Sequence, residues 1–121
     1  MFKTTLDKHL QAVTTKDIDG FLKTISKDNI TLIMPNGNLI NDYKGFSDLH
    51  KSWFLDEDWS IEYKIIEVKE GKDLSSALLE INYHDLDENN QAIHLHYYLY
   101  LLFEMKDHEW LLIHDQNTII K

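Results

Sequence analysis

Cysteine and arginine are both missing from the 121 residues of this chain. Without cysteine there is no disulfide, no thiol nucleophile and no thiolate metal site. That fits a reducing compartment, where disulfides do not persist. Without arginine there is no bidentate clamp for a carboxylate or a phosphate, so every basic residue is a lysine. Basic residues are also few, 12 against 21 acidic ones, for a formal net charge of -9. This balance argues against binding to nucleic-acid backbones or anionic membranes, both of which repel an acidic surface. Long apolar runs are lacking too. The most apolar stretch, Tyr97 to Phe103, is far shorter than the roughly 20 residues a membrane helix needs. Met1 to Val13 mixes Lys3, Asp7, Lys8 and His9 among its apolar residues and does not resemble a signal peptide. The expectation is a soluble, cytoplasmic protein.

What is present suits one domain, residues 1–121. Hydrophobic residues make up 43 % of the chain and aromatic rings 12 %, enough to fill a compact core. Phe2, Leu6, Leu10 and Val13 recur at helical spacing and predict a helix over 2–14, with Thr4 and Asp7 as a loose capping box. Asp17 is placed to cap a second, short helix with Ile18, Phe21, Leu22 and Ile25 on its apolar face. Residues 29–34 read as a strand. Pro35-Asn36-Gly37 reads as a turn, because proline presets φ and Asn-Gly tolerates left-handed geometry. Leu39 and Ile40 form a short return strand. After a turn at Tyr43-Lys44-Gly45, Phe46, Leu49 and Trp53 mark a third helix over about 46–55. Four strands follow, over 59–69, 74–84, 92–105 and 109–118, joined by short polar loops that call for antiparallel hairpins. Helices first and a meander afterwards define an α+β layout.

Four segments carry a resemblance: KDIDGF at the second helix, DNITLIMPNG through the first strand and turn, YKGF before the third helix, and EWLLIHDQNT in the last strand. In order and spacing they resemble the NTF2-like superfamily, in particular its SnoaL-like and DUF4440-type, ketosteroid-isomerase-like branch. The resemblance implies a cystatin-like cone: three helices packed on a strongly curved, mostly antiparallel sheet, with a pocket between them. It also implies a homodimer through the sheet. Ketosteroid-isomerase-like enzymes carry a carboxylate base just before the proline that ends the first strand. Here that position is Met34, which cannot take a proton. The first-helix tyrosine of those enzymes corresponds to His9.

Alternation along residues 92–105 puts His94, His96, Tyr98 and Tyr100 on one face and Ile93, Leu95, Tyr97, Leu99, Leu101 and Phe103 on the other. The first set combines rings with hydrogen-bonding tips, which suits either a ligand pocket or a dimer interface. In the last strand, alternation groups Trp110, Leu112, His114 and Gln116. His114 beside His94 and His96 would make an imidazole cluster. His-x-His spacing also suits a late transition metal, although unmetallated histidines are the favoured reading and no metal or cofactor is expected. Imidazoles exchange protons near neutral pH, which makes His9, His94, His96 and His114 the candidate acid/base groups. Met34, Trp53, Tyr98, Tyr100 and Gln116 are the candidate ligand-binding residues. The loop from Asp85 to Gln91 has Asn90 at the sixth position and His96 at the twelfth, where a calcium loop needs Gly and Glu.

Two functional classes follow. One is a small-molecule-binding domain, with a moderately apolar ligand carrying a polar group, acting as an isomerase, cyclase or dehydratase without a cofactor. The other is a non-catalytic homodimerisation or assembly module with the aromatic strand face at the interface. The destination of His94, His96, Tyr98 and Tyr100 discriminates between them.

Overall fold

A computed structural model describes residues 1–121. The elements run α1 (Phe2–Thr15), α2 (Ile18–Leu22), β1 (Thr31–Ile33), β2 (Leu39–Ile40), α3 (Tyr43–Leu55), β3 (Ser60–Glu70), β4 (Leu74–Leu86), β5 (Ala92–Lys106) and β6 (Glu109–Ile119). The strands form one six-stranded sheet in the order β2-β1-β6-β5-β4-β3. Strands β3 to β6 are the expected antiparallel meander. The exception to antiparallel pairing is β1, which runs parallel to β6 and so ties the N-terminal half to the last strand.

The helices cover one face of this sheet and leave the other open. Helix α1 buries Phe2, Leu6, His9 and Leu10, a spacing that keeps them on one stripe. Phe2 meets Phe103 of β5 and Trp110 of β6 edge-on, at 5.2 and 5.4 Å between ring centres. The helix ends where Lys16 turns left-handed, with φ of 58°, and its N–H donates back to Ala12 and Val13. The expected Thr4–Asp7 capping box does not form. Helix α1 already begins at Phe2, so Thr4 lies inside it, and Asp7 pairs with Lys3 at 2.8 Å.

Asp17 does cap α2, accepting from the Gly20 N–H at 3.1 Å. Helix α2 stops at Leu22, short of Ile25. Sheet pairing captures the next residues instead: Ile25 bridges to Leu112, whose N–H donates to the Thr24 carbonyl at 2.7 Å. Tyr43-Lys44-Gly45 is not a turn but the first turn of α3. Asp42 caps it by accepting from the Gly45 N–H at 2.7 Å, so the helix starts three residues earlier than its apolar pattern does.

The core includes a stack in which imidazoles serve as aromatic rings. Phe21 lies 4.9 Å from His9 and 4.7 Å from His50, and Phe46 lies 4.2 Å from His50 and 5.8 Å from Phe21. Both histidines are buried, at 2 % and 6 % exposure. Each is held by one hydrogen bond. Thr24 Oγ1 donates to the Phe21 carbonyl and is therefore free to accept from His9 Nδ1–H at 2.8 Å. His50 Nδ1–H donates to the Phe46 carbonyl at 2.8 Å. Burial pushes the His9 pKa down to about 3, with His50 opposing its charge as well, and pushes His50 down to about 4.

Both groups take up protons more readily unfolded, where histidine titrates near 6.5. Their stabilising contribution is complete above that value and is lost as pH falls through the folded values. We expect the denaturation midpoint to drop between pH 7 and pH 4, and a His50→Phe variant to show a smaller drop. Denaturant titrations at both pH values check this, and an equal drop in the variant would contradict it.

Candidate functional site

Strand β6 does not keep one alternation from end to end. Leu102 of β5 pairs with His114 while its neighbour Phe103 pairs with Leu112, so Ile113 is an extra, bulged residue. Before the bulge, Trp110 and Leu112 face the helices, at 9 % and 0 % exposure. After it the parity reverses. Asp115, opposite buried Leu101 and Leu32, faces the helices at 8 % exposure, and Asn117 follows it on that side. His114 and Gln116 therefore turn to the open face. The expected grouping of His114 and Gln116 with Trp110 and Leu112 is thus overturned by one inserted residue.

Asp115 is a buried carboxyl with no cation beside it. Its one hydrogen bond is from the Asn117 amide to Oδ1, at 3.1 Å. The same amide nitrogen donates to the Ile33 carbonyl at 2.8 Å, fixing Asn117 between β1 and β6. Burial pushes the Asp115 pKa up to about 7, and the Asn117 bond offsets only part of that. Tyr97 shares this face. Its phenol is pushed well above its usual range, first by burial and then by the charge of Asp115. The Tyr97 hydroxyl and Asp115 Oδ2 make no hydrogen bond within the chain.

The covered face is less tightly sealed toward the β5 N-terminus. Along the covered face of β5, Phe103 and Leu101 are sealed at 0 % exposure, Leu99 and Leu95 are half-buried and Ile93 is 36 % exposed. At this end Trp53 of α3 stacks on Trp59 at 3.9 Å, and Tyr83 of β4 lies 6.3 Å from each. The Trp59 indole donates to the Trp53 carbonyl at 2.7 Å. The Tyr83 hydroxyl donates to Asp85, and burial together with that bond raises its pKa to about 12. Tyr83 therefore stays neutral, with its one proton committed to Asp85.

The residues expected at the site divide between three places. His94, His96, Tyr98 and Tyr100 share one face, as their alternation predicts, but it is the open face rather than the covered one. There His96 contacts Glu80 at 2.6 Å, His94 contacts Asn82 at 3.0 Å, and His84 stacks on His94 at 4.9 Å while contacting Glu62 at 3.1 Å. Tyr98, Tyr100 and Gln116 line a groove of about 450 Å³ on this face with Ile66, Leu78 and Thr118. His114 does not join the other imidazoles: its partner is Gln116 at 3.0 Å. No three His, Asp or Glu side chains converge into a metal-holding group. His9 is a ring of the core stack. Met34 and Trp53 pack half-buried against the core on the helix side. Sequence reasoning missed Asp115, Tyr97 and Asn117. The available signal was the break in alternation at Leu111-Leu112-Ile113, three apolar residues in a row before a polar run.

This architecture recurs in solved structures. A ketosteroid isomerase-like protein from Erwinia carotovora atroseptica superposes with a TM-score of 0.80 at 16 % identity, over 98 % of this chain and 93 % of that one. A protein from Thiobacillus denitrificans, assigned as a calcium/calmodulin-dependent protein kinase type II association domain, gives 0.80 at 10 % identity over 98 % and 94 %. A protein from Streptomyces avermitilis, assigned as a dehydratase of the NTF2-like family, gives 0.79 at 8 % identity over 98 % and 93 %. No functionally curated protein matches the chain significantly. Helices on one face of a curved, mostly antiparallel sheet place the chain in the NTF2-like fold class. Within that class it belongs to the SnoaL-like domain family, which matches residues 3–119.

Asp115 has a titration signature of its own. Its pKa rises from 3.8 to about 7 on folding, so the folded chain holds this proton more tightly. Its contribution to stability is present at low pH and is lost as pH climbs from about 4 to about 7, on the order of 4 kcal/mol across the window. Asp115→Asn removes that slope. The variant's stability relative to the natural chain should rise between pH 5 and pH 8, and a constant difference in urea titrations would refute the assignment.

Proposed function

We propose that this SnoaL-like domain binds a small, moderately apolar molecule with a polar group at the opening beside Asp115, and acts on it by proton transfer without a cofactor. The observation that carries this reading is Asp115 itself, buried, unpaired with any cation and with Oδ2 left without a hydrogen bond. A carboxyl is costly to keep in such a place, and perturbed groups of this kind concentrate at functional sites. A pKa of about 7 lets it act as either acid or base at neutral pH. Tyr97 supplies a phenol donor, and Trp53, Leu95 and Leu99 supply apolar wall. The proton-carrying role expected of the histidines passes to this carboxyl, because His94, His96 and His114 lie across the sheet. Isomerisation, cyclisation and dehydration all need such a group.

The test is thermal shift against a panel of apolar small molecules bearing one carbonyl or hydroxyl. Hits are then followed for proton exchange or conversion by NMR. Binders should raise the melting temperature, and Asp115→Asn should lower the turnover of any converted compound by about 10² or more. Equal shifts and equal turnover in Asp115→Asn and Tyr97→Phe would remove the basis of the proposal.

A specific observation also favours self-association. Ile66, Tyr98 and Tyr100, at 45, 40 and 39 % exposure, share the open-face groove. Clustered exposed apolar side chains of this kind mark interaction surfaces. The reading is a homodimer through the open face, compatible with a ligand site on the covered one. Tyr98→Asp with Tyr100→Asp should give a monomer by sedimentation if the natural chain is a dimer. A natural chain that sediments as a monomer would end this reading.

A further inference from the structure

A second groove lies at the opposite end of the fold from Asp115. It has a volume of about 640 Å³ and runs between α1, the start of α2 and the β5–β6 hairpin. Its floor is apolar, made by Ala12, Met105 and Trp110, and its rim carries Lys8, Lys23 and His108. The volume falls within the range of small-ligand sites.

Two of the lysines that line this groove are among the eight of 12 that enter no ion pair. The lysines in ion pairs are Lys3, Lys44, Lys69 and Lys106. Lys8 and Lys23 enter none, although acidic residues outnumber basic ones 21 to 12. They come together from separate helices, Lys8 from the middle of α1 and Lys23 from the C-cap of α2. His108 joins them from the hairpin turn, where Asp107 and His108 hold φ of 51° and 67°. Two carboxylates also line the groove. Asp17 is committed to the α2 N-terminus through Gly20. Glu109 makes no hydrogen bond within the chain, and both carboxylates oppose an anion, Glu109 the more freely.

From this juxtaposition we infer a binding site for a small organic anion, a carboxylate or phosphate monoester with an apolar body. The body lies on the Trp110 floor and the anionic head between Lys8 and Lys23. The site is separate from the one beside Asp115, five residues along β6 from Trp110 and on the far side of the Ile113 bulge.

NMR titration of the full chain with benzoate, phenyl phosphate and uncharged benzyl alcohol tests this. The expected result is saturable shifts at Trp110 and around Lys8 and Lys23 with the anions, and weaker binding of benzyl alcohol. Lys8→Gln with Lys23→Gln should weaken anion binding at least about tenfold, and Glu109→Gln should tighten it. Raising salt from about 50 to 500 mM should weaken it several-fold, since exposed charges are screened. Tighter binding of phenyl phosphate assigns the head group as phosphate, and tighter binding of benzoate as carboxylate. Asp115→Asn should bind the probes as the natural chain does, so failure at one site does not carry over to the other. Three results would overturn the inference: no saturable shift at about 10 mM probe, well beyond useful affinity; benzyl alcohol binding as tightly as benzoate; or undiminished binding to the double lysine variant.

Discussion

Side chains on a strand alternate with a period of two, so one inserted residue exchanges the faces of everything that follows it. Ile113 is that residue in β6. N-terminal to it, the strand contributes Trp110 and Leu112 to the core beneath α1. C-terminal to it, the strand delivers Asp115 and Asn117 to the helix side and His114 and Gln116 to the other. Without the bulge, the carboxyl would stand in solvent on the open face and an imidazole would take its place. The parallel pairing of β1 holds this arrangement. Leu32 lies beside Asp115, and the Ile33 carbonyl accepts from the Asn117 amide that also serves Asp115.

The covered face is divided by how its polar groups are satisfied. At the sealed end, His9 and His50 are polar residues used as rings. Each spends one nitrogen on a fixed acceptor and stays neutral because burial disfavours its charge. Their role there is packing, and Phe21 beside both is close to fully buried. At the open end, Asp115, Tyr97 and Tyr83 keep hydrogen-bonding capacity that the chain does not consume in full. The contrast lies in the accounting of donors and acceptors rather than in residue type, and it is what separates a core histidine from a candidate acid.

Membership of the SnoaL-like family leaves activity to be argued from the site, since one fold hosts many chemistries. The position that carries a carboxylate base in ketosteroid-isomerase-like enzymes is Met34 here, and Met34 packs half-buried against the core. A carboxyl supplied from β6 offers an alternative source of the same chemistry in the same half of the fold. The open face, with its groove and its imidazole–carboxylate contacts, is chemically independent of that site because the sheet lies between them.

The elements were legible in the sequence because each rests on local physics. Helical spacing in α1 and α3, the cap at Asp17, the Pro35-Asn36-Gly37 turn and the alternation of β3 to β5 all express preferences of neighbouring residues. The partition of β5 into an apolar face and a His/Tyr face was equally legible. Alternation has no sign, however, and which face meets the helices was decided by packing, which put Leu101 and Phe103 inward and His94, His96, Tyr98 and Tyr100 outward. The site was hidden for a related reason. The Ile113 bulge exists because β6 must match Leu102 and Phe103 of β5 while also pairing with β1, a condition involving three strands distant in sequence. The sequence by itself determined the fold class and the order of elements. Only the tertiary structure decided that Asp115 is buried with no cation beside it, because burial and the absence of a partnering cation are properties of the assembled sheet.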